Sequence, residues 1–146
     1  MIRVITISFI KIEMMKKQIE TIQALLSQVF GGFMPTLEDV VSGSKYIQVR
    51  SATNVRETAV LMAKAKKSVL IMEENEVVGI FTPKDLLNRV IAKDKSPDLT
   101  AVSSVMTANP DCALPSMTML DALHEMYEQK YLHLPVRDNR GRVLGL

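Results

Sequence analysis

The chain has 146 residues and a formal net charge of +2, from 18 Lys and Arg against 16 Asp and Glu. With 47% apolar and 23% charged residues it reads as one globular packing unit, which argues against dominant disorder. So balanced a charge, with no Trp and only 3 Tyr and 4 Phe to stack bases, argues against nucleic acid as a partner.

Residues 1–12 read as a short strand or an unstructured lead-in. Their apolar run Val4–Ile10 falls far short of the roughly 20 residues of a membrane-spanning helix. Flanked by Arg3 and Lys11 and without a small-residue cleavage site, it is also a poor secretion signal. A single cysteine, Cys112, fits a reducing compartment, so the expectation is a soluble, intracellular, cytoplasmic chain. From Glu13 to Phe30, Met15, Ile19, Ile22, Leu26 and Val29 form one stripe of an amphipathic helix, which Gly31, Gly32 and Pro35 end. Docking on its own domain and a dimer seam are both open to that stripe.

After Pro35 the chain repeats itself. Thr36–Val41 is echoed by Ala101–Met106, and the predicted helix at Val55–Met62 by Met119–Met126, an offset of 64 residues. The expected buried stripes are Val55, Ala59, Met62 and Ala63 in the first copy and Met119, Leu123, Met126 and Tyr127 in the second. First strands are expected at Tyr46–Val49 and Cys112–Leu114. An apolar strand follows each helix, at Ser68–Met72 and at Leu132–Val136. Polar turns then lead to third strands at Val77–Ile80 and Val143–Leu146. The first copy continues through Phe81–Asp85 into a helix carrying Leu86, Leu87, Val90 and Ile91. One unit of about 50 residues would bury too little to stand alone, so two units packed face to face are expected, linked by Lys93–Asp98.

Two such units, the first closed by Gly79-Ile80-Phe81-Thr82-Pro83-Lys84-Asp85, resemble the CBS domain pair, or Bateman module. Leu134-Pro135-Val136 is similar to that family's second-strand Leu-Pro-Val, and Val105-Met106-Thr107 to the Val-Met-Thr that opens a unit. The wording of the second copy is further similar to eukaryotic proteins carrying two CBS pairs and a Phox/Bem-type domain. The resemblance implies an α+β fold, a pseudo-symmetric CBS-domain pair of β-α-β-β-α units. The expected divisions are an N-terminal extension at 1–35 with its amphipathic helix at 13–30, a first motif at 36–95 and a second at 96–146. That second motif is truncated at its C-terminus, because the chain stops at Leu146 before a second Thr/Ser-x-x-Asp. One adenosine site per chain is therefore expected, with uncovered strand faces favouring association.

Thr82 and Asp85 are the leading site candidates. On the residues alone, Thr-Pro-Lys-Asp is a helix start, with Thr82 as N-cap and Asp85 as its capping-box partner. A helix start also favours a phosphate, and a nearby aspartate can accept from both ribose hydroxyls, so the two readings coexist. The resemblance implies that Asp85 holds ribose, that Thr82 reaches ribose or phosphate, and that Ser68, Val69, Leu132 and His133 line the adenine and phosphate ends. His133 reads equally as a phosphate donor and as a strand-end histidine facing water. Lys64, Lys66 and Lys67 suit a helix C-terminus, Lys84 suits solvent, and His124 has no assigned role.

Two His and one Cys in no ligand spacing argue against a metal site or a nucleophilic enzyme. The implied function is a non-catalytic regulatory module for AMP, ADP, ATP or S-adenosylmethionine, requiring no metal, and homodimeric through its helices. The alternative is a ligand-free interaction or dimerisation scaffold.

Overall fold

The computed structural model describes residues 34–146 throughout and, before them, residues 14, 17–18, 20–25, 27–29 and 31–32. The strand or lead-in expected at residues 1–12 lies outside the described residues, as do Met15, Ile19 and Leu26 of the expected stripe. The described residues between Met14 and Val29 are helical. Ile22 and Val29 of the stripe are 49% and 75% exposed, so neither is docked on the rest of the chain.

The first unit contributes β1 (Ile47–Arg50), α2 (Val55–Ala65), β2 (Val69–Glu73) and β3 (Glu76–Phe81), after a short α1 (Leu37–Val41). Strand β1 runs parallel to β2, and β2 antiparallel to β3. The β2–β3 turn places Glu74 and Asn75 at φ 48° and 69°, the paired left-handed geometry that a tight hairpin needs. A helix then starts as α3 (Pro83–Asp85) and continues through a wide π turn at Leu86–Val90 and a tight 3-10 turn at Ile91–Lys93. After a 3-10 turn at Val102–Ser104 come β4 (Thr107–Ala108), α4 (Met119–Gln129), β5 (Val136–Arg137) and β6 (Val143–Gly145). Strand β4 pairs with β3 to complete a four-stranded sheet, and β5 pairs with β6 in a two-stranded one.

Helices α2 and α4 keep the 64-residue offset of the repeat, and their caps match. Asn54 accepts from the Glu57 amide, Thr118 from the Asp121 amide, and Lys66 and Lys130 end them in the left-handed conformation. Their buried faces differ from the expected stripes. Val55, Thr58 and Met62 face inward in α2, while Ala63 is exposed. In α4 the inward residues include Leu120, Ala122 and the half-buried Met126; Leu123 and Tyr127 are 53% and 45% exposed. Thr58 can be buried because its hydroxyl donates to the Asn54 carbonyl at 2.9 Å, which removes the penalty that made it look like a surface residue. In the second copy, the strand expected at Leu132–Val136 is present only as Val136–Arg137, since Pro135 has no N–H for a ladder. The strand expected at Cys112–Leu114 is reduced to a parallel bridge between Ala113 and Val136.

The segments that precede the two units are exchanged. The Leu37 and Glu38 amides donate to Met117 and Pro115 of the second unit at 2.8 and 3.0 Å, and the Met119 amide donates to Pro35 at 2.9 Å. In mirror image, the Val102 and Ser103 amides donate to Thr53 and Ser51 of the first unit at 2.8 and 3.2 Å, and the Val55 amide to Thr100 at 2.9 Å. The side chains follow. Val102 and Val105 sit in the first unit's core beside Val55, Val69 and Phe81. Leu37 and Val41 sit in the second unit's core beside Ala122, Leu134 and Val136. A third cluster, Leu70, Val77, Ile80 and Val143, joins the two sheets.

Each exchanged segment presses on a glycine of the receiving unit. A methyl group on Gly145 would stand 2.6 Å from Val41 Cβ and 2.6 Å from Ser44 Oγ, and one on Gly79 would overlap the Met106 side chain. Val41 is branched at the contact, whereas Met106 can change rotamer. Gly145→Ala is therefore expected to destabilise the fold by about 1–3 kcal/mol, and Gly79→Ala by less. Urea denaturation of the two variants tests the order; a costlier Gly79→Ala would contradict this account of the contact.

Candidate functional site

Strand β3 ends at Phe81 and delivers Thr82 to the start of α3, where Pro83 supplies the fixed φ of a first helical residue. The Thr82 amide and hydroxyl both donate to Asp85 Oδ2, at 2.9 and 2.7 Å, and the Asp85 amide donates back to Thr82 Oγ1 at 3.2 Å. This is a complete capping box, as the residues alone suggest.

The complete box occurs once more, and a partial one a third time, without the bond from the threonine amide. Thr36 and Asp39 form it at α1, and Thr118 with Asp121 caps α4. Their surroundings separate the three. Asp39 is exposed, and its bonds from Thr36 hold its carboxyl below the usual range. Asp121 is exposed too, whereas Asp85 retains only 8% of its surface.

Asp85 borders a cleft of about 600 Å³ between the units. Thr82, Asp85 and Arg89 of the first unit face Tyr131, Leu132 and His133 of the second across it. Lys84, Lys130 and Asp111 also line it, so cations and carboxylates share the lining. Oδ2 of Asp85 is filled by Thr82, while Oδ1 lies 3.4 Å from Arg89 Nε. That longer approach leaves Oδ1 with acceptor capacity toward the cleft.

The six expected site residues are distributed unevenly. Thr82, Asp85, Leu132 and His133 share the cleft. Ser68 is buried, and its hydroxyl is 2.9 Å from His133 Nε2, a side-chain bond that crosses between the units. Val69 is wholly buried in the first unit's core, paired to Ile47 and Phe81 on either side, and lines neither this cleft nor the smaller one beside it. His133 also borders a smaller cleft of about 450 Å³ beside Met62, Lys66, Lys67 and Ser68, and so stands as the partition between the two. Lys67 is engaged with the Lys45 carbonyl at the end of α2.

Arg89 and Tyr131 escaped the sequence reading. Arg89 lies four residues after Asp85, the spacing of a helical ion pair, and that was its available signal. The Tyr131 hydroxyl donates to Glu125 Oε1 at 2.8 Å; burial and that bond push its phenol up, so it stays protonated. Among the described residues no group of three or more His, Cys, Asp or Glu could hold a metal ion. No helix among them is long and apolar enough to cross a membrane.

Known proteins share this architecture. The family model for the CBS domain matches residues 37–92 and 102–146. The CBS domain-containing protein CBSCBSPB3 of Arabidopsis thaliana is 43% identical over 111 residues, 75% of this chain and 20% of that protein. The chain spans about a fifth of the length of this and two further curated Arabidopsis relatives that it matches. A CBS domain protein from Pyrobaculum aerophilum complexed with AMP superposes with a TM-score of 0.68 at 17% identity, over 75% of this chain and 84% of that one. A CBS domain pair in complex with 5′-methylthioadenosine and S-adenosyl-L-methionine does so with a TM-score of 0.68 at 23% identity, over 77% of this chain and 88% of that one. At those identities the two structures show the fold alone.

Burial lowers the pKa of His133 below its ordinary 6.5, and the charge of Asp85 opposes the shift only in part. An unfolded chain therefore takes up the proton first as pH falls. The stability tied to neutral His133 is complete above the unfolded value and is lost as pH drops below it toward the folded value. His133→Gln is expected to lose less stability than wild type between pH 7 and about 5.5. Denaturant melts at the two pH values check this, and parallel losses would remove His133 as the cause.

Proposed function

The chain belongs to the CBS-domain family, and on that premise we propose that it is a non-catalytic regulatory module that binds an adenosine-containing ligand in the cleft between its two units. The observation that carries this reading is the meeting of Thr82 and Asp85 with Leu132 and His133 across one cleft. Asp85 Oδ1 accepts from the ribose hydroxyls, and Oδ2 stays with Thr82, so the helix cap and the ribose contact use different oxygens. Leu132, 86% exposed at the cleft wall, offers an apolar surface to the base. His133, braced by Ser68, supplies a ring nitrogen for the ligand's polar end. AMP, 5′-methylthioadenosine and S-adenosyl-L-methionine, the ligands of the two neighbours, share adenosine, which supports that moiety as the recognised part.

The ligand class is read by thermal shift with AMP, ADP, ATP and S-adenosylmethionine. A ligand at ~100 times its Kd adds about 2.7 kcal/mol, and no shift with any of the four would favour a ligand-free scaffold. Asp85→Ala is expected to weaken the best of them at least about tenfold, since charge-assisted bonds to ribose are lost while a lost cap costs only about 1 kcal/mol. Calorimetric titration giving equal affinities would take Asp85 out of the site.

A second reading, dimerisation through the helices, is favoured by one further observation. Val60 and Leu61 on α2, Leu123 on α4, and Leu87 and Ile91 after α3 are each 39–60% exposed. Val90, by contrast, is wholly buried and Leu86 half-buried, so only part of that last helix is available. A homodimer buries these outer faces. Light scattering at tens of micromolar is expected to give twice the chain mass, and a monomer there counts against it.

A further inference from the structure

Arg89 sits in the π turn that follows α3 and is the one cleft-lining cation that also reaches the exchanged segment of the second unit. Its Nε lies 3.4 Å from Asp85 Oδ1. Its Nη1 donates to the carbonyls of Val105 at 3.1 Å and Met106 at 2.5 Å. Val105 is packed in the first unit's core, Met106 lies against Gly79, and the next two residues are β4. One planar fork thus spans a carboxylate and two carbonyls, which a single ammonium cannot do with the same geometry.

We propose that Arg89 is the positioning residue of the cleft: it holds Asp85 by the oxygen that Thr82 leaves open, and ties that carboxylate to the segment leading into the second unit. A ribose bonded to Oδ1 shares that oxygen with Arg89. Occupancy of the cleft then alters the grip of the guanidinium on Val105 and Met106, and with it the docking of β4 on β3. This deepens the adenosine reading, on which only its ligand arm rests.

Hydrogen exchange at the Asn109 amide, which donates to the Val78 carbonyl at 3.0 Å, reports the docking of this segment. It is measured for wild type, Arg89→Gln, Asp85→Asn and the double variant, first without ligand. Each single variant is expected to speed exchange at least about fivefold, and the double variant no more than either single one, because both remove the same link. Arg89→Lys, which keeps the charge but not the fork, is expected to behave like Arg89→Gln; it replaces the glutamine variant in the cycle should that one unfold. Multiplying effects in the double variant, an unchanged Asn109 in Asp85→Asn, or full protection in Arg89→Lys would each overturn the proposal.

With saturating AMP, wild type is expected to slow further at Asn109, and Arg89→Gln to bind without that slowing. Equal slowing in both would also overturn it. If wild type binds neither AMP nor any other adenosine ligand, the adenosine reading falls, and the ligand-free cycle still decides whether Arg89 makes the link.

Discussion

The fold depends on an exchange. Each unit's core is completed by the segment that precedes the other unit, through backbone hydrogen bonds that include two mirrored sets of three. Val102 and Val105 are 0% and 2% exposed, and a fully buried valine contributes about 1.5–3 kcal/mol relative to an exposed one. On a scale where a whole domain is held by 5–15 kcal/mol, neither unit can spare such a contribution. The exchange also explains why Gly79 and Gly145 occupy matched positions in β3 and β6. Both give the crossing segment room to touch the strand, in the place where a side chain would otherwise stand.

That constraint builds the cleft. The segment that fills the first unit's core continues through β4 antiparallel along the edge of β3, with Thr107 opposite Ile80 and Asn109 bonded to Val78, and Thr107, Asn109, Pro110 and Asp111 line the cleft together with Thr82 and Asp85. The second unit's Tyr131–His133 closes the other side. The cleft is therefore a product of the crossing rather than of either repeat alone. Three Thr-x-x-Asp caps sit in this chain, and of their three aspartates only Asp85 is buried. Local sequence defines the cap; burial beside the cleft decides which cap can also become a ligand site.

This divides what was legible in the sequence from what was not. The 64-residue offset of α2 and α4, the strands of the first unit and the tight β2–β3 turn all follow from apolar spacing and turn chemistry. The echo of Thr36–Val41 in Ala101–Met106 was visible too, but not that each half serves the opposite unit, because periodicity reports which residues are buried and never against what. Thr58 was hidden for a related reason. Counting apolar residues turned α2 toward Ala63, whereas a threonine that satisfies its own hydroxyl on the preceding turn packs as well as a valine. Among the candidate site residues, the family pattern singled out Thr82 and Asp85 from three Thr-x-x-Asp caps, which propensity and capping rules could not have done. Arg89 carried only its four-residue spacing from Asp85 as a local signal, and Tyr131 joins the cleft through tertiary contacts that no local pattern marks.

The two units differ most where they should match best, and the cause is one proline. Val69 and His133 are equivalent by the 64-residue offset. In the first unit β2 runs from Val69 to Glu73, and its first three residues pair in regular register with both neighbours, so Val69 is held by Ile47 on one side and Phe81 on the other and turns into the core. In the second unit Pro135 cannot donate to a ladder, and regular pairing begins only at Val136. Residues 131–135 are thereby released from strand geometry while remaining anchored, since the Ala113 amide donates to the Pro135 carbonyl at 2.9 Å. His133 uses that release to face the opposite unit, where it meets Ser68, the residue directly before the strand that stayed intact. An ordered strand on one side of the pseudo-symmetry axis and an interrupted one on the other convert a core valine into a polar partition between two clefts. Restoring the ladder would draw position 133 toward the core, where an imidazole would need a partner that the first unit's apolar cluster does not contain.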